Sequence, residues 1–223
     1  MSKINLYNMD CMEYMAKCQD KQFDLAIVDP PYGIGEDVDK IRPYNSKSCT
    51  DWKNRKPKEY LKKEWDTKRP NKAYFNELIR VSKKQIVWGA NYMSDLLPVS
   101  GGWIVWDKQV VMPTFSDGEL AWTNCNNSVK FARFLWAGYR KCENTNRFHP
   151  TQKPVSLYSW ILQNYAKTGD KIFDSHAGSL SLGLACHDLG FDLEACELDK
   201  DYFEAAKNRL EQHQKQLNFL HLL

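Results

Sequence analysis

A strand–helix–strand–helix pattern in residues 171–210 limits the folds that this sequence can adopt. The apolar run KIFD leads into the small residues SHAGS, a helical pattern, and a second apolar stretch that ends in CELD before another helix. This is a βαβ unit of the nucleotide-binding kind. Glu197 follows Asp174 by 23 residues, close to the roughly 20 at which an acid after the second strand bonds ribose hydroxyls.

The remainder of the sequence continues the alternation of strands and helices. The runs FDLAIVD, QIVWGAN, GGWIVWDK and GELAWTN predict strands, and each of them ends in polar or small residues. Helical spacing of apolar residues predicts helices in DCMEYMAKC, NKAYFNELIRVS and VSLYSWILQNYAKTGD, the last closed by Gly169. We therefore expect an α/β fold, with a mostly parallel central sheet, helices on both faces and a single domain over residues 1–223.

Composition excludes several classes of protein. No apolar run approaches the roughly 18 to 20 residues of a membrane span, and the first residues lack the pattern of a secretory signal, so we expect a cytoplasmic location and no membrane partner. The seven cysteines form no CxxC pair, which argues against a disulfide framework and a cysteine zinc site. We expect reduced thiols and no metal.

Two irregular stretches, at about 34–70 and 110–148, interrupt the alternation. The first is rich in lysine, asparagine, proline and aspartate, and the second interleaves Lys130, Arg133, Arg140 and Arg147 with aromatic residues. We read residues 124–148 as loop. Loops of this length within a domain are usually functional or disordered. A polyanionic partner is one interpretation of the basic charge, and a solvated surface is the other.

The stretch DPPYG, which follows the apolar run FDLAIV, indicates a site at the end of a strand. Pro30 and Pro31 lack N–H groups and hold a rigid turn that presents carbonyls beside the carboxylate of Asp29. Two adjacent acceptors match the two donors of an aromatic amine, and Tyr32 offers a ring on which the base can stack. A turn with an N-capping aspartate and a packed tyrosine is the alternative interpretation.

Together with the HPTQKPV stretch at 149–155 and DSHAGSLSLG followed by CELD, this DPPYG resembles the amino-group DNA methyltransferases that use S-adenosylmethionine. The motif order is that of class β, in which the target-recognition segment lies between DPPY and the cofactor motif, and the middle of the chain is similar to small phage-type members. The resemblance implies that Asp29 and the Pro30 carbonyl bind the target amine in a turn completed by Pro31, while Tyr32 stacks on the base.

The same resemblance implies a cofactor site. Asp29 would border it, Glu197 would bond the ribose hydroxyls, and Asp10 with the adjoining Cys11 would approach the adenine. The HPTQKP motif and the loop after the KIFD strand would supply the other contacts, from His149, Thr151, Lys153, Asp174, His176, Ala177, Gly178 and Ser179. Taken singly, His149, Lys153 and His176 would more often be ordinary surface or strand-end residues.

Leu180 departs from the family pattern, which generally has a glycine after the serine. A positive φ there would strain a leucine by roughly 1 to 2 kcal/mol. Alternatively, Leu180 starts the helix and points into the core. We expect a reshaped cofactor site rather than an abolished one.

These features predict a site-specific DNA adenine-N6 methyltransferase that uses S-adenosylmethionine and acts on double-stranded DNA, with a homodimer expected by analogy. Three alternatives stay open: cytosine N4 as the target, a catalytically impaired module that still binds cofactor or DNA, and methylation of RNA or a protein amide. The target base must be flipped out of the duplex to reach such a site.

Overall fold

A single eight-stranded sheet organises the chain. The structure is a computed structural model that describes residues 2–35, 66–110, 116–137, 140–143, 149 and 151–220. Most of the irregular stretch at 34–70, and parts of the one at 110–148 that include Arg147, lie outside the described residues, and the polyanion contacts predicted there lie outside them too. Lys130 and Arg133 of the second stretch are described.

The strand order is β1-β10-β9-β2-β3-β5-β4-β6, and every neighbouring pair is parallel except the two pairs that include β5. A short antiparallel pair, β7 and β8, stands apart from this sheet. The strands are β1 Ile4–Tyr7, β2 Phe23–Val28, β3 Ser82–Trp88, β4 Gly102–Asp107, β5 Gly118–Thr123, β6 Val129–Arg133, β7 Trp136–Ala137, β8 Arg140–Lys141, β9 Lys171–Asp174 and β10 Asp192–Cys196.

Helices cover both faces of the sheet. They are α1 Cys11–Met15, α2 Lys72–Val81, α3 Val155–Tyr165, α4 Ser181–Leu189 and α5 Lys200–Leu220. Strand β2 is apolar on both sides: Leu25 and Ile27 belong to one core cluster with α3, α4 and α5, and Ala26 and Val28 belong to the other with α1 and α2. The continuous apolar run of β2 follows from this double burial. The predicted α/β class is confirmed.

Among the described residues, none of the helices combines the length and the apolar character that a membrane span requires.

Two predictions about local structure are wrong. Residues 124–148 contain β6 and the β7–β8 pair, whereas we read them as loop. The strand β6 lies at the edge of the sheet and buries only Ala132, so its exposed Val129 and Phe131 give no core pattern. Helix α3 ends at Tyr165 rather than at Gly169, because Ala166 leaves the helical conformation.

Candidate active site

Four acidic residues line one edge of the sheet, because four neighbouring parallel strands end there. Asp10 follows β1, Glu197 follows β10, Asp174 ends β9 and Asp29 follows β2. In an open α/β sheet, ligands bind outside the carboxyl ends of the strands. The sequence-predicted cofactor residues and the DPPYG turn therefore lie side by side at the edge where a ligand is expected.

The loop between β9 and α4 curls toward Glu197. Gly178 has φ +49° and donates its N–H to Oε2 of Glu197 at 2.8 Å. The N–H of Ala177 bonds the carbonyl of Cys196 at 2.8 Å, and Asp174 Oδ1 accepts the N–H of His176 at 3.0 Å. The acid at the tip of β10 thus holds the small-residue loop directly.

The HPTQKP motif packs on this loop. A Cβ on Gly178 would lie 3.6 Å from the ring of His149. The ring of Tyr202 packs on the same histidine, with 4.4 Å between ring centres. Thr151 Oγ1 lies 3.1 Å from Nδ1 of the same histidine. His149 and Thr151 are therefore beside the predicted cofactor loop, whereas Lys153 extends to the DPPYG turn.

Leu180 combines the two alternatives considered from the sequence, a positive φ and a side chain that points into the core. Its backbone is left-handed, with φ +57°, at the residue that precedes α4. Its side chain is fully buried in the core, and a Cβ on Gly183 would come within 2.6 Å of its Cγ. The branched side chain thus occupies room that a glycine one helical turn later leaves free, on the core side of the loop.

Asp10 and Cys11 lie at the start of α1. Asp10 Oδ1 caps the helix by accepting the N–H of Met12 at 2.6 Å. Burial, with the Asp10 charge next, raises the pKa of the Cys11 thiol to about 12. Cys11 is therefore a neutral, partly buried thiol at this edge, suited to contact rather than to nucleophilic chemistry.

The DPPYG turn has its tyrosine folded onto its own aspartate. The hydroxyl of Tyr32 donates to Asp29 Oδ1 at 2.6 Å. Its ring lies against Gly89, where any Cβ would come within 2.0 Å of the ring, and stacks on Tyr92 with 5.4 Å between ring centres. One of the acceptors expected for the target amine is thus occupied by the tyrosine hydroxyl. Pro30 is buried and Pro31 half-buried beside it.

Asp66 fixes the backbone of this turn. It is buried, and its Oδ1 accepts the N–H groups of Tyr32 and Gly33 at 2.6 and 2.9 Å. Asp66 was not predicted as a site residue, because it lies in a stretch that looks like a solvated basic loop. A carboxylate that binds two N–H groups of a turn leaves no signal in a single sequence.

Lys153 neutralises the other oxygen of Asp29. Its ammonium lies 2.5 Å from Asp29 Oδ2 and 3.1 Å from Glu119 Oε2, and only 2% of its side chain is exposed. Glu119 in turn pairs with Lys108 at 2.8 Å. Neither Glu119 nor Lys108 was predicted as a site residue, since a charged residue at the end of a strand has many ordinary roles.

Electrostatics at the edge favour a cationic ligand. Burial is the main cause that raises the pKa of Asp174 to about 8, and the charges of Asp29 and Glu197 raise it further. Burial also lowers the pKa of His176 to about 4, so this histidine is neutral near pH 7. A positively charged group placed among the three carboxylates would offset their mutual repulsion.

A separate group of possible metal ligands lies elsewhere. Among the described residues, His187, Asp188 and His213 bring their ligand atoms within 4.8 Å of one another. Two of them are near the end of α4, whereas the active-site loop precedes its start, so this group is remote from the carboxylate edge.

The comparisons with known proteins agree with this geometry. The family model for DNA methylase matches residues 87–208, which is more than half of the chain. The chain belongs to the N6/N4 DNA methylase family. It is 22% identical to the Type II methyltransferase M2.MboI of Moraxella bovis, over 92% of this chain and 86% of the relative.

Solved methyltransferase structures share the fold. The complex of M1.HpyAVI with SAM aligns over 92% of this chain and 99% of its own, with a TM-score of 0.57 and 21% identity. The PvuII DNA methyltransferase, described as cytosine-N4-specific, aligns over 93% of this chain and 86% of its own, with a TM-score of 0.62 and 12% identity. This DNA methylase therefore has the class I methyltransferase fold.

Proposed function

We propose that this DNA methylase transfers a methyl group from S-adenosylmethionine to N6 of an adenine flipped out of double-stranded DNA. One observation carries the proposal: the amine-binding turn, with Asp29 and Tyr32, ends a strand directly beside the strand whose loop carries Asp174 and Gly178. An amine acceptor and a cofactor loop on adjacent strands are what a direct transfer needs.

The chemistry of the donor set fits the cofactor. When bound, S-adenosylmethionine supplies an electrophilic methyl group on a positively charged sulfur. Asp174, Glu197 and Asp29 lie side by side at this edge. Burial, followed by the charges of Asp29 and Glu197, raises the pKa of Asp174 to about 8, and a cationic group bound among the three would lower it. Glu197 is the residue that we assign to the ribose hydroxyls, with His149 and Thr151 along the loop.

The residues of the turn act on the amine nitrogen. The lone pair of an exocyclic amine is delocalised into its ring, which makes the amine a poor nucleophile. Asp29 Oδ1 and the Pro30 carbonyl would each accept one N–H, which favours a pyramidal nitrogen with its lone pair free to react. The methylated nitrogen then loses one proton to solvent.

The tyrosine must move for this to happen. Its hydroxyl bonds the same Asp29 oxygen that the amine needs, so the incoming amine replaces one hydrogen bond to Oδ1 with another. The freed ring of Tyr32 then becomes available as the stacking surface for the flipped base, where stacking contributes about 1 to 3 kcal/mol.

Cytosine N4 is the second candidate target. Adenine is favoured by the DPPY form of the tetrad, a tendency within the family. Cytosine is favoured by the likeness to the PvuII enzyme, whose TM-score of 0.62 exceeds the 0.57 for M1.HpyAVI. Both bases present an exocyclic amine, so the amine clamp, formed by Asp29 and the Pro30 carbonyl, would serve either of them.

The decisive experiment uses methyl-labelled S-adenosylmethionine, several unmethylated duplex DNAs, and mass spectrometry of the digested nucleosides. We expect labelled N6-methyladenine. Labelled N4-methylcytosine would support the amine-binding role of Asp29 and Pro30, but it would show that the target base is cytosine. Label in glutamine side chains or RNA, with none in DNA, would overturn the substrate. DNA or cofactor binding without transfer would indicate an impaired module.

Two aspartate variants test the role of the clamp. Asp29→Ala should lower methyl transfer by orders of magnitude and leave the circular dichroism spectrum unchanged. The matched control is Asp24→Asn, because Asp24 lies on the same strand at its amino end, where it binds Lys83. Near-normal turnover of Asp29→Ala would contradict the mechanism.

A homodimer is a further proposal, supported only by analogy with relatives. Sedimentation of the protein alone that finds only a 26.1 kDa species would contradict it.

A further inference from the structure

Four charged side chains of alternating sign form a row along the carboxylate edge. Asp29 pairs with Lys153, Lys153 with Glu119, and Glu119 with Lys108, with nitrogen–oxygen distances of 2.5, 3.1 and 2.8 Å. The exposed fractions of the four side chains run from 2% to 25%. Charges this far from water cost several kcal/mol each unless they are paired.

The strand order brings the row together. Lys108 follows the carboxyl end of β4, and β5 is antiparallel to β4, so Glu119 near the start of β5 lies at the same edge. Lys153 precedes α3 and crosses to the turn after β2. The turn after β2 and the start of β5 thus both contact the Lys153 ammonium, and the end of β4 contacts Glu119.

The pair of Asp29 and Lys153 would be neutral by itself. Glu119 and Lys108 add a second neutral pair, so charge balance alone does not require them. What they add is geometry: the Lys153 ammonium contacts Asp29, Glu119 and the hydroxyl of Tyr32, the last at 3.2 Å. An ammonium has three N–H donors, and each of them has an acceptor here.

Aromatic walls keep the row in place. The Lys153 ammonium lies 5.3 Å from the ring centre of Trp88, and the Lys108 ammonium lies 5.2 Å from that of Trp106. The two tryptophan rings meet edge to face at 6.3 Å. Rigid apolar walls strengthen the interactions between the charges that they enclose.

We propose that Glu119 is a positioning residue for methyl transfer: anchored by Lys108, it fixes the Lys153 ammonium on Asp29 Oδ2 and so leaves Oδ1 directed at the target amine. This inference rests on the proposed function for the role of Asp29. It gives Glu119 and Lys108 a role in positioning Lys153 and Asp29, although neither residue belongs to the DPPY or HPTQKP motifs.

Glu119 also moderates the charge that Lys153 imposes on Asp29. Burial is the largest influence and raises the pKa of Asp29, Lys153 lowers it, and Glu119 raises it. Removing Glu119 should therefore lower the pKa of Asp29, and removing Lys153 should raise it. Among the described residues, Asp29 also couples by charge to Tyr32, Tyr74, Tyr158 and Asp174.

The first test does not depend on turnover. The side-chain carboxyl of Asp29 can be followed by ¹³C NMR during a pH titration, with its signal assigned by its loss in Asp29→Asn. We expect the midpoint to move to lower pH in Glu119→Gln and to higher pH in Lys153→Met. The matched control is Glu194→Gln, on β10, where the carboxylate binds Asn5 and Tyr14 and the Asp29 midpoint should stay unchanged.

The second test is kinetic. Glu119→Gln should lower kcat by about 10- to 100-fold, the scale of a slightly misplaced reacting group, while the KM for DNA and for S-adenosylmethionine changes little. The acid limb of the kcat profile should move to lower pH. Because Glu119 acts through Lys153, Glu119→Gln should have little further effect in a Lys153→Met background.

Each outcome decides the matter. An unmoved Asp29 titration, or a normal kcat with an unmoved acid limb in Glu119→Gln, would overturn the inference, as would fully additive losses in the double variant. If Glu119→Gln does not fold, Lys108→Met replaces it, because Lys108 anchors Glu119. This variant should lower kcat with little change in either KM, and an unchanged kcat would also overturn the inference. Normal turnover in Asp29→Ala would instead refute the proposed function.

Discussion

Tyr32 has two separable parts, a hydroxyl that bonds Asp29 and a ring that lies on Gly89. Under the proposed function, this hydroxyl bond must break when the amine binds Asp29. We expect Tyr32→Phe to keep kcat/KM near or above that of the wild type, because the ring remains and Oδ1 is freed. Tyr32→Ala should lower kcat/KM by about 5- to 150-fold, since stacking contributes about 1 to 3 kcal/mol.

Single-turnover rates of the two variants on the same duplex distinguish these roles. A Tyr32→Phe rate as low as that of Tyr32→Ala would show that the hydroxyl itself takes part in the reaction. Equal, normal rates in both variants would show that the base does not stack on this ring.

Asp174 makes stability depend on pH. Its pKa is raised to about 8, first by burial, whereas an unfolded chain has an aspartate pKa near 3.9. Between these values the folded state binds more protons than the unfolded state, so the free energy of unfolding falls as pH rises from about 4 to about 8. Asp174→Asn removes this dependence.

Urea unfolding of cofactor-free protein at pH 5 and pH 8 measures the effect. We expect the stability of Asp174→Asn relative to the wild type to be greater at pH 8 than at pH 5. Parallel pH dependence of the two proteins would mean that the pKa of Asp174 is not raised in the folded protein.

Helix α4 begins with a compromise between Leu180 and Gly183. The left-handed backbone of Leu180 is strained by about 1 to 2 kcal/mol, but its buried side chain fills the core. Truncation of a buried leucine costs about 2 to 5 kcal/mol. Leu180→Gly should therefore destabilise the protein on balance, by up to about 4 kcal/mol.

The effect of Gly183→Ala on stability should change sign between the wild type and the Leu180→Gly variant. In the wild type its new Cβ would meet Leu180 Cγ at 2.6 Å, so we expect a loss of about 1 to 3 kcal/mol. In Leu180→Gly the obstacle is gone, and the better helix propensity of alanine should stabilise the helix by about 0.5 to 1 kcal/mol. Thermal unfolding of the four proteins tests this, and additive effects would contradict the proposed contact.

The sequence was sufficient for elements whose burial is complete or periodic. Strand β2 is buried on both faces and α2 on one, and both were predicted, as were β3, β4, β9 and α4. Strand β6 was missed because an edge strand with one buried residue has no pattern. The direction of β5 could not be predicted either, because the pattern of apolar residues in a strand does not depend on the direction of its neighbours. That direction decides which end of β5 lies at the active site.

The carboxylate edge is a property of the whole sheet. DPPYG and the loop at 174–180 could be located in the sequence because each follows a strand, and Glu197 because its spacing fits a βαβ unit. The contacts of Lys153 with Asp29 and Glu119 join residues 124 and 34 positions apart, and only the strand order 9-2-3-5-4 makes them neighbours. No spacing rule predicts such a row of charges.

The position of β6 predicts how DNA lies on the molecule. Strand β6 is parallel to β4, with Arg133 opposite Asp107 at the carboxyl ends, so this largely exposed arginine lies at the same edge as the amine clamp. A duplex whose flipped base enters the clamp would bring phosphates to that edge. Arg133→Ala should weaken binding to all duplex sequences alike and lower the salt slope of the affinity by about one.

The matched control is Lys171→Ala, because Lys171 is exposed at the amino end of β9, on the opposite edge. Fluorescence anisotropy at several salt concentrations measures both variants, and an equal loss in the two would place the duplex elsewhere.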